Sequence, residues 1–123
     1  PLTNALKAVK SPYNLNSFTQ AAGAALLRRK EESKAALAEI LLSKKELLDG
    51  VKTLAERFPG EMEVFESDTN FVFIRTGKYA EIFRYMMEKG IAIRKFAGYL
   101  RITAGTREEN RAVLDALQEF FTR

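Results

Sequence analysis

The sequence contains no cysteine and no histidine among its 123 residues. Without cysteine the chain can form neither disulfides nor a reactive thiolate. Without histidine it lacks the commonest general base and the commonest metal ligand of proteins. These two absences argue against a zinc site and against an independent hydrolase. We therefore expect no metal-binding residues in this chain.

Long apolar runs are also missing. No segment approaches the roughly 18 to 20 uncharged apolar residues that span a bilayer, and residues 1–10 lack the apolar stretch of a signal peptide. The 20 basic and 16 acidic residues are largely interspersed and give a net charge of +4. Such mixing favours solubility over a basic nucleic-acid-binding surface. We expect a cytoplasmic protein that binds neither membranes nor nucleic acid.

The composition is typical of one globular domain, since 46% of the residues are hydrophobic and 29% are charged. Residues 1–16 include Pro12 and several turn formers, which predict an approach segment rather than a core element. Ser17 and Gln20 fit a capping box at the start of a helix. Apolar residues then recur at helical spacing across a helical segment that we assign to 17–58.

This helical segment has one interruption. The polar stretch 28–34 breaks the apolar face, which predicts either a short break between two helices or one kinked helix. Pro59 and Gly60 then stop the second helical part. A long amphipathic helix should therefore precede the rest of the chain.

In the remaining residues, 59–123, the period of the hydrophobic pattern changes, which predicts an α+β small domain. The run NFVFI is apolar on both faces, which predicts a strand buried from both sides. Alternation, turn residues and capping signals predict strands over 61–66, 70–76, 91–96 and 99–104, with helices over 78–89 and from Thr106 onwards. We expect a small, mostly antiparallel sheet of three or four strands with helices packed on one face, preceded by the long helical segment.

Strand alternation gives the arginines of the last two strands a direction. If Leu100 and Ile102 face the helices, then Arg101 between them faces away. By the same rule Arg94 points outward, and a hairpin would place both arginines on one face. Two interpretations remain open at this point. The arginines are either solvated charges on an open sheet face or an anion site, since a guanidinium matches carboxylate or phosphate in bidentate fashion.

Several segments carry a resemblance to a known family. The stretches KSPYNLNSFTQAA, SDTNFVFIRT and KGIAIRKFAGYLRITAGTREENRAVLDAL occur in this order and at these separations. Together they resemble the C-terminal part, or small domain, of the histidinol-phosphate aminotransferases, which are pyridoxal-phosphate enzymes of the class I/II (fold type I) aminotransferases. The resemblance covers essentially the whole chain, and its specificity comes from the combination of segments.

The resemblance implies roles for individual residues. In these aminotransferases the arginine of the LRIT strand binds the substrate α-carboxylate, and Arg101 matches it. In the histidinol-phosphate branch this arginine also helps to hold the phosphate and its surroundings. Arg94 matches a second arginine at the phosphate end, although the connection between Arg94 and Arg101 is shorter here than in many relatives. Tyr13 and Asn14 match a segment that returns from the large domain, which implies possible proximity to substrate or cofactor.

The implied reaction transfers an amino group from histidinol phosphate to 2-oxoglutarate and gives imidazole acetol phosphate and glutamate, a step of histidine biosynthesis. In the family the Schiff-base lysine lies on the large domain, upstream of these segments. We therefore expect a fragment of a homodimeric parent that contributes no catalytic residue and binds no pyridoxal phosphate alone. Lys44 follows Ser43 as in a Ser-Lys pair, but it falls on the polar side of the long helix.

Three alternatives are kept. A related aminotransferase could act on aromatic or other amino acids. A free-standing α+β module could bind a small anion on the same sheet face. An interaction domain could use the long helix and the open sheet face to bind a partner protein.

Overall fold

The computed structural model describes residues 2–9 and 15–123. Its elements are, in chain order, α1 Leu2–Val9, α2 Ser17–Arg28, α3 Lys30–Arg57, β1 Glu63–Phe65, β2 Phe71–Arg75, α4 Tyr79–Glu88, β3 Arg94–Phe96, β4 Tyr99–Thr103 and α5 Arg107–Thr122. This order confirms the predicted α+β class. Within the described residues, no helix combines the length and the apolar character needed to cross a membrane. The chain divides into two compact units, Pro1–Ala36 and Leu37–Arg123.

The start of α2 differs from the prediction by one residue. Asn16 is the N-cap, and its side-chain oxygen accepts a hydrogen bond from the Thr19 backbone N–H at 2.8 Å. The predicted capping box is therefore wrong, because Asn16 already occupies the cap and Ser17 is the first helical residue. The side chain of Gln20 donates instead to the Leu15 carbonyl, at 3.1 Å.

The predicted interruption between the first helices is confirmed as a break. It falls at Arg29, where α2 has ended and α3 has not begun. The Arg29 N–H donates to the Leu26 carbonyl at 3.0 Å, a three-residue return that closes the last turn of α2. The alternative prediction of one kinked helix is therefore wrong.

The sheet lies in the second unit and is antiparallel throughout, in the order β1-β2-β4-β3. Val72 pairs with Ile102 and Ile74 pairs with Leu100 across the two central strands. All four side chains are buried. Because successive side chains of a strand point to opposite faces, these four lie on the same face of the sheet, and that face is apolar.

Helices cover that apolar face, as predicted. The core combines it with residues from the second half of α3 and from α4 and α5, among them Leu47, Val51, Ile82, Met86, Val113 and Leu117. Fully burying one aliphatic side chain of this kind contributes about 1.5–3 kcal/mol relative to leaving it exposed. Helix packing therefore fixes which way the opposite face of the sheet points.

Strand β3 is shorter than predicted. It begins at Arg94, whereas the sequence placed the strand from Ile91. The reason is local, because the Ile91 N–H donates to the Met86 carbonyl at 2.8 Å and completes the C-terminus of α4 after Gly90, whose φ is 77°. Ile91 and Ile93 still pack against the core as half-buried side chains.

The junction between β4 and α5 is held by side-chain hydrogen bonds. Thr106 and Glu109 form the predicted capping box at the start of α5. The buried Asn110 accepts from the Gly105 N–H at 3.0 Å and donates to the Ser43 carbonyl at 3.0 Å and to the Ser43 hydroxyl at 2.8 Å. Asn110 therefore ties the end of β4 to α3.

Candidate functional site

The face of the sheet that points away from the helices carries aromatic side chains. Phe73 stacks on Tyr99 with ring centroids 5.1 Å apart, and Phe65 and Phe96 pack at 6.2 and 6.1 Å from Phe73. Phe71 and Phe73 are half-buried, which corrects the prediction that this strand is buried from both sides. The rings of Phe65, Phe73, Phe96 and Tyr99 pack against one another on this face.

Arg94 and Arg101 lie next to each other on this face. The two residues are directly opposite partners in the β3–β4 ladder, as alternation in a hairpin predicts. Like charges in directly opposite positions destabilise an antiparallel pair. Among the described residues neither arginine forms an ion pair, whereas Arg75 on the same face pairs with Glu63. Two neighbouring cations thus lack a carboxylate that would neutralise them.

Arg101 is held in a particular orientation. Its guanidinium carbon lies 5.1 Å from the centroid of the Phe71 ring, within the range of a cation–π interaction. Its Nε is shielded from solvent and has no hydrogen-bond acceptor in the described part of the chain. Leaving a buried donor unsatisfied costs about 1–3 kcal/mol, and more for a charged group. The Nε–H is therefore a buried donor for which the described residues supply no acceptor.

A groove of about 300 Å³ adjoins the two arginines and is lined by Ala92, Ile93, Arg94, Arg101 and Thr103. Its charged lining residues are both cations, so it is suited to a small anion. The lining includes neither a lysine that could form a Schiff base nor a carboxylate that could pair with a pyridine nitrogen. The residues here therefore do not fit pyridoxal phosphate itself.

The other candidates lie elsewhere. The sequence predicts that Lys44 is a solvated lysine on the polar side of the long helix. Its side chain is instead half-buried and donates from its Nζ to the Ser67 carbonyl. Tyr13 and Asn14 lie outside the described residues.

Sequence reasoning missed two residues, one at the site and one at the junction between β4 and α5. Phe71 was assigned to the core because the run NFVFI is apolar throughout, although strict alternation against Val72 and Ile74 places it on the face of Arg101. Asn110 was not singled out, because a single asparagine in a helix gives no signal of its long-range hydrogen bonds.

Comparison with known proteins extends these observations. Residues 1–117 match the family model described as aminotransferase class I and II. The chain is 31% identical over 123 residues to histidinol-phosphate aminotransferase of Clostridium kluyveri, an alignment that covers 96% of this chain and 34% of that relative. The chain thus spans about a third of the length of the curated relatives it matches.

Solved structures show the same fold. Histidinol-phosphate aminotransferase from Clostridium acetobutylicum matches with a TM-score of 0.74 and 20% identity, over 98% of this chain and 38% of that one. The enzyme of the same name from Sinorhizobium meliloti, in complex with pyridoxal-5'-phosphate, matches with a TM-score of 0.63 and 22% identity, over 97% and 34%. With the family model matching nearly from end to end, the chain belongs to the aminotransferase class I and II family.

Proposed function

We propose that this chain is the small domain of a pyridoxal-phosphate-dependent aminotransferase and that Arg101 and Arg94 bind the anionic end of its substrate. The observation that carries this proposal is the pairing of two cations without a carboxylate beside a groove. Enzymes of this family depend on pyridoxal phosphate and bind amino-acid substrates, which carry a carboxylate. The arginine pair supplies the complementary charge.

The names of the relatives favour histidinol phosphate as one substrate, and the family resemblance implies 2-oxoglutarate as the other. One substrate carries a phosphate and the other carries carboxylates. A guanidinium can bind either group through two parallel hydrogen bonds, so the same residues can serve both half-reactions. We assign the carboxylate to Arg101 and the phosphate end to Arg94, with Arg101 assisting when the phosphate substrate is bound.

The contribution of these residues is positioning and charge complementarity. Fixing the anionic end of a substrate restricts the orientation of its reacting carbon, which lowers the entropic cost of the reaction. Fixed cations need no reorganisation when the anion arrives. Pyridoxal phosphate, when bound in a complete enzyme, supplies the chemistry of amino-group transfer. Because the groove does not fit the cofactor, we assign no step through it to this chain.

Titration of the 123-residue chain with inorganic phosphate and with L-glutamate tests the proposal. We expect weak but saturable binding of both anions, with a Kd on the order of millimolar, because only one wall of the site is present. Backbone NMR shifts should move at Arg94, Arg101 and Thr103. Phosphate and glutamate should compete for the same residues.

Substitution of the arginines distinguishes anion binding at this site from a general effect of positive charge on the sheet face. Arg101→Gln should weaken binding about tenfold or more, since a charge-assisted hydrogen bond contributes roughly 1.5–3 kcal/mol. Arg75→Gln is the matched control, because it removes an equal charge from the same face at a residue already paired with Glu63. Equal losses in both variants would contradict the proposal. Binding of glutamate without phosphate would favour an aminotransferase with another substrate.

A further inference from the structure

We propose that Phe71 is a positioning residue for Arg101: its ring fixes the guanidinium in the orientation that binds the anion. This inference rests on the proposed function of Arg101. The centroid of the ring and the guanidinium carbon are 5.1 Å apart, and the Nε of Arg101 has no hydrogen-bond acceptor among the described residues. Phe71 is thus the neighbour that can set its direction.

The sheet register shows that this contact redirects the arginine. The backbone partner of Arg101 is Phe73, whereas the partner of Phe71 is Thr103. The guanidinium therefore lies diagonally across the ladder, along β4 toward Thr103, rather than straight across from its own partner. Thr103 lines the groove together with Arg101.

The ring also offsets an unfavourable interaction. Arg94 is the directly opposite partner of Arg101, and repulsion between the two cations would favour their separation. The negative face of an aromatic ring attracts a cation. Phe71 lies on β2, on the other side of β4 from Arg94 on β3, so the contact draws the guanidinium of Arg101 away from Arg94. It also fixes the guanidinium before any ligand is present, which reduces the ordering that binding requires.

The burial of the guanidinium is uneven. Its Nε is a buried donor that lacks an acceptor. Neither of its two terminal nitrogens is such a donor. An anion can therefore approach the terminal nitrogens first. The contact with Phe71 determines which edge of the guanidinium is presented as well as where it lies.

The test compares three variants of the 123-residue chain. Phe71→Leu removes the ring and keeps an apolar side chain, and Phe71→Tyr keeps the ring. Phe73→Leu is the matched control, since it makes the same change on the same strand and face at a ring that stacks on Tyr99 instead. Each variant is titrated with inorganic phosphate and L-glutamate, and its thermal midpoint is measured.

We expect Phe71→Leu to weaken anion binding about fivefold, the equivalent of one exposed cation–π interaction, and Phe71→Tyr to bind like the original chain. The Arg101 δ-methylene protons should lose their upfield ring-current shift only in Phe71→Leu. Phe73→Leu should lower the thermal midpoint without changing affinity.

Unchanged affinity in Phe71→Leu, or an equal loss in Phe73→Leu, would overturn the role of Phe71 and leave that of Arg101 intact. If the original chain itself binds neither anion, the proposed function fails, and this inference fails with it.

Discussion

At the scale of single residues, Asn110 forms long-range hydrogen bonds that its place in the sequence does not indicate. Its amide bonds to Gly105 at the end of β4 and to Ser43 on α3, and these contacts join segments more than 60 residues apart. Both hydrogen-bonding ends of the side chain are used. The residue therefore acts as a connection between elements.

Replacing Asn110 by Ala should destabilise the second unit. The Gly105 N–H would lose its acceptor, at about 1–3 kcal/mol for a buried group left unsatisfied, and the Ser43 carbonyl would keep only its helical hydrogen bond. The measurement is urea unfolding followed by circular dichroism. Gln118→Ala is the control, because it removes an exposed amide from the same helix, and it should change the free energy of unfolding by less than about 0.5 kcal/mol. Similar losses in both variants would refute the connecting role.

Single residues also mark where the sequence predicted well. Alternation around Leu100 and Ile102 was enough to give Arg101 its direction, because side chains on a strand have a fixed period of two. The prediction failed at Ile91, whose N–H is used by the end of α4, and at Phe71, whose apolar character masked its place beside a cation. Both failures involve contacts between elements, and hydrophobic periodicity does not report such contacts.

At the scale of elements, the β3–β4 hairpin sets the distance between the two arginines. Its turn contains Gly98, with φ of 81°, and Gly98 accepts a hydrogen bond through its carbonyl from the Thr76 N–H at 3.1 Å. A residue with a Cβ is strained in this conformation. The turn therefore depends on glycine.

Gly98→Ala should destabilise the chain by about 1–2 kcal/mol and weaken the Arg94–Arg101 pairing. Thermal unfolding and cross-strand NOEs between β3 and β4 are the measurements. Gly77→Ala is the matched control, since Gly77 has an ordinary φ and nothing within 4 Å of an added Cβ, and it should be nearly neutral. A neutral Gly98→Ala would show that the turn tolerates another conformation.

Helices α4 and α5 are joined by a charged cluster around Glu119. Its carboxylate accepts hydrogen bonds from Lys89 at 2.6 Å and from Arg123 at 3.0 Å. The hydrogen bond from Lys89, followed by those involving Tyr85 and Arg123, lowers the pKa of Glu119 from 4.5 to about 2. A carboxylate with a lowered pKa in the folded state stabilises that state only while it is ionised.

The stabilisation from Glu119 should therefore be present above pH 4.5 and be lost as the pH falls toward 2. Unfolding monitored across this range in the original chain and in Glu119→Gln is the measurement. We expect the variant to be less stable near neutral pH and to show a weaker pH dependence. Parallel curves for the two proteins would show that this cluster contributes little, as is common for exposed ion pairs.

At the scale of the whole molecule, the sequence predicted the α+β class, the order of helices and strands after residue 60, and the open face of the sheet. It did so because caps, glycines and alternation are local signals that agree with one another here. The chain spans about a third of the length of its curated relatives. One fold can serve many activities, so the function of this chain depends on its site residues rather than on its fold.

The two arginines also differ in the position of their strands, because β3 lies at the edge of the sheet and β4 lies in its interior. Arg101 lies on an interior strand bonded on both sides, while Arg94 lies on a three-residue strand with one bonded neighbour. Local opening at an edge breaks fewer hydrogen bonds than opening in the interior. We expect the amides of β3 to exchange with solvent faster than those of β4. The pair would then combine a stationary cation with an adjustable one, an arrangement suited to two anions of unequal size.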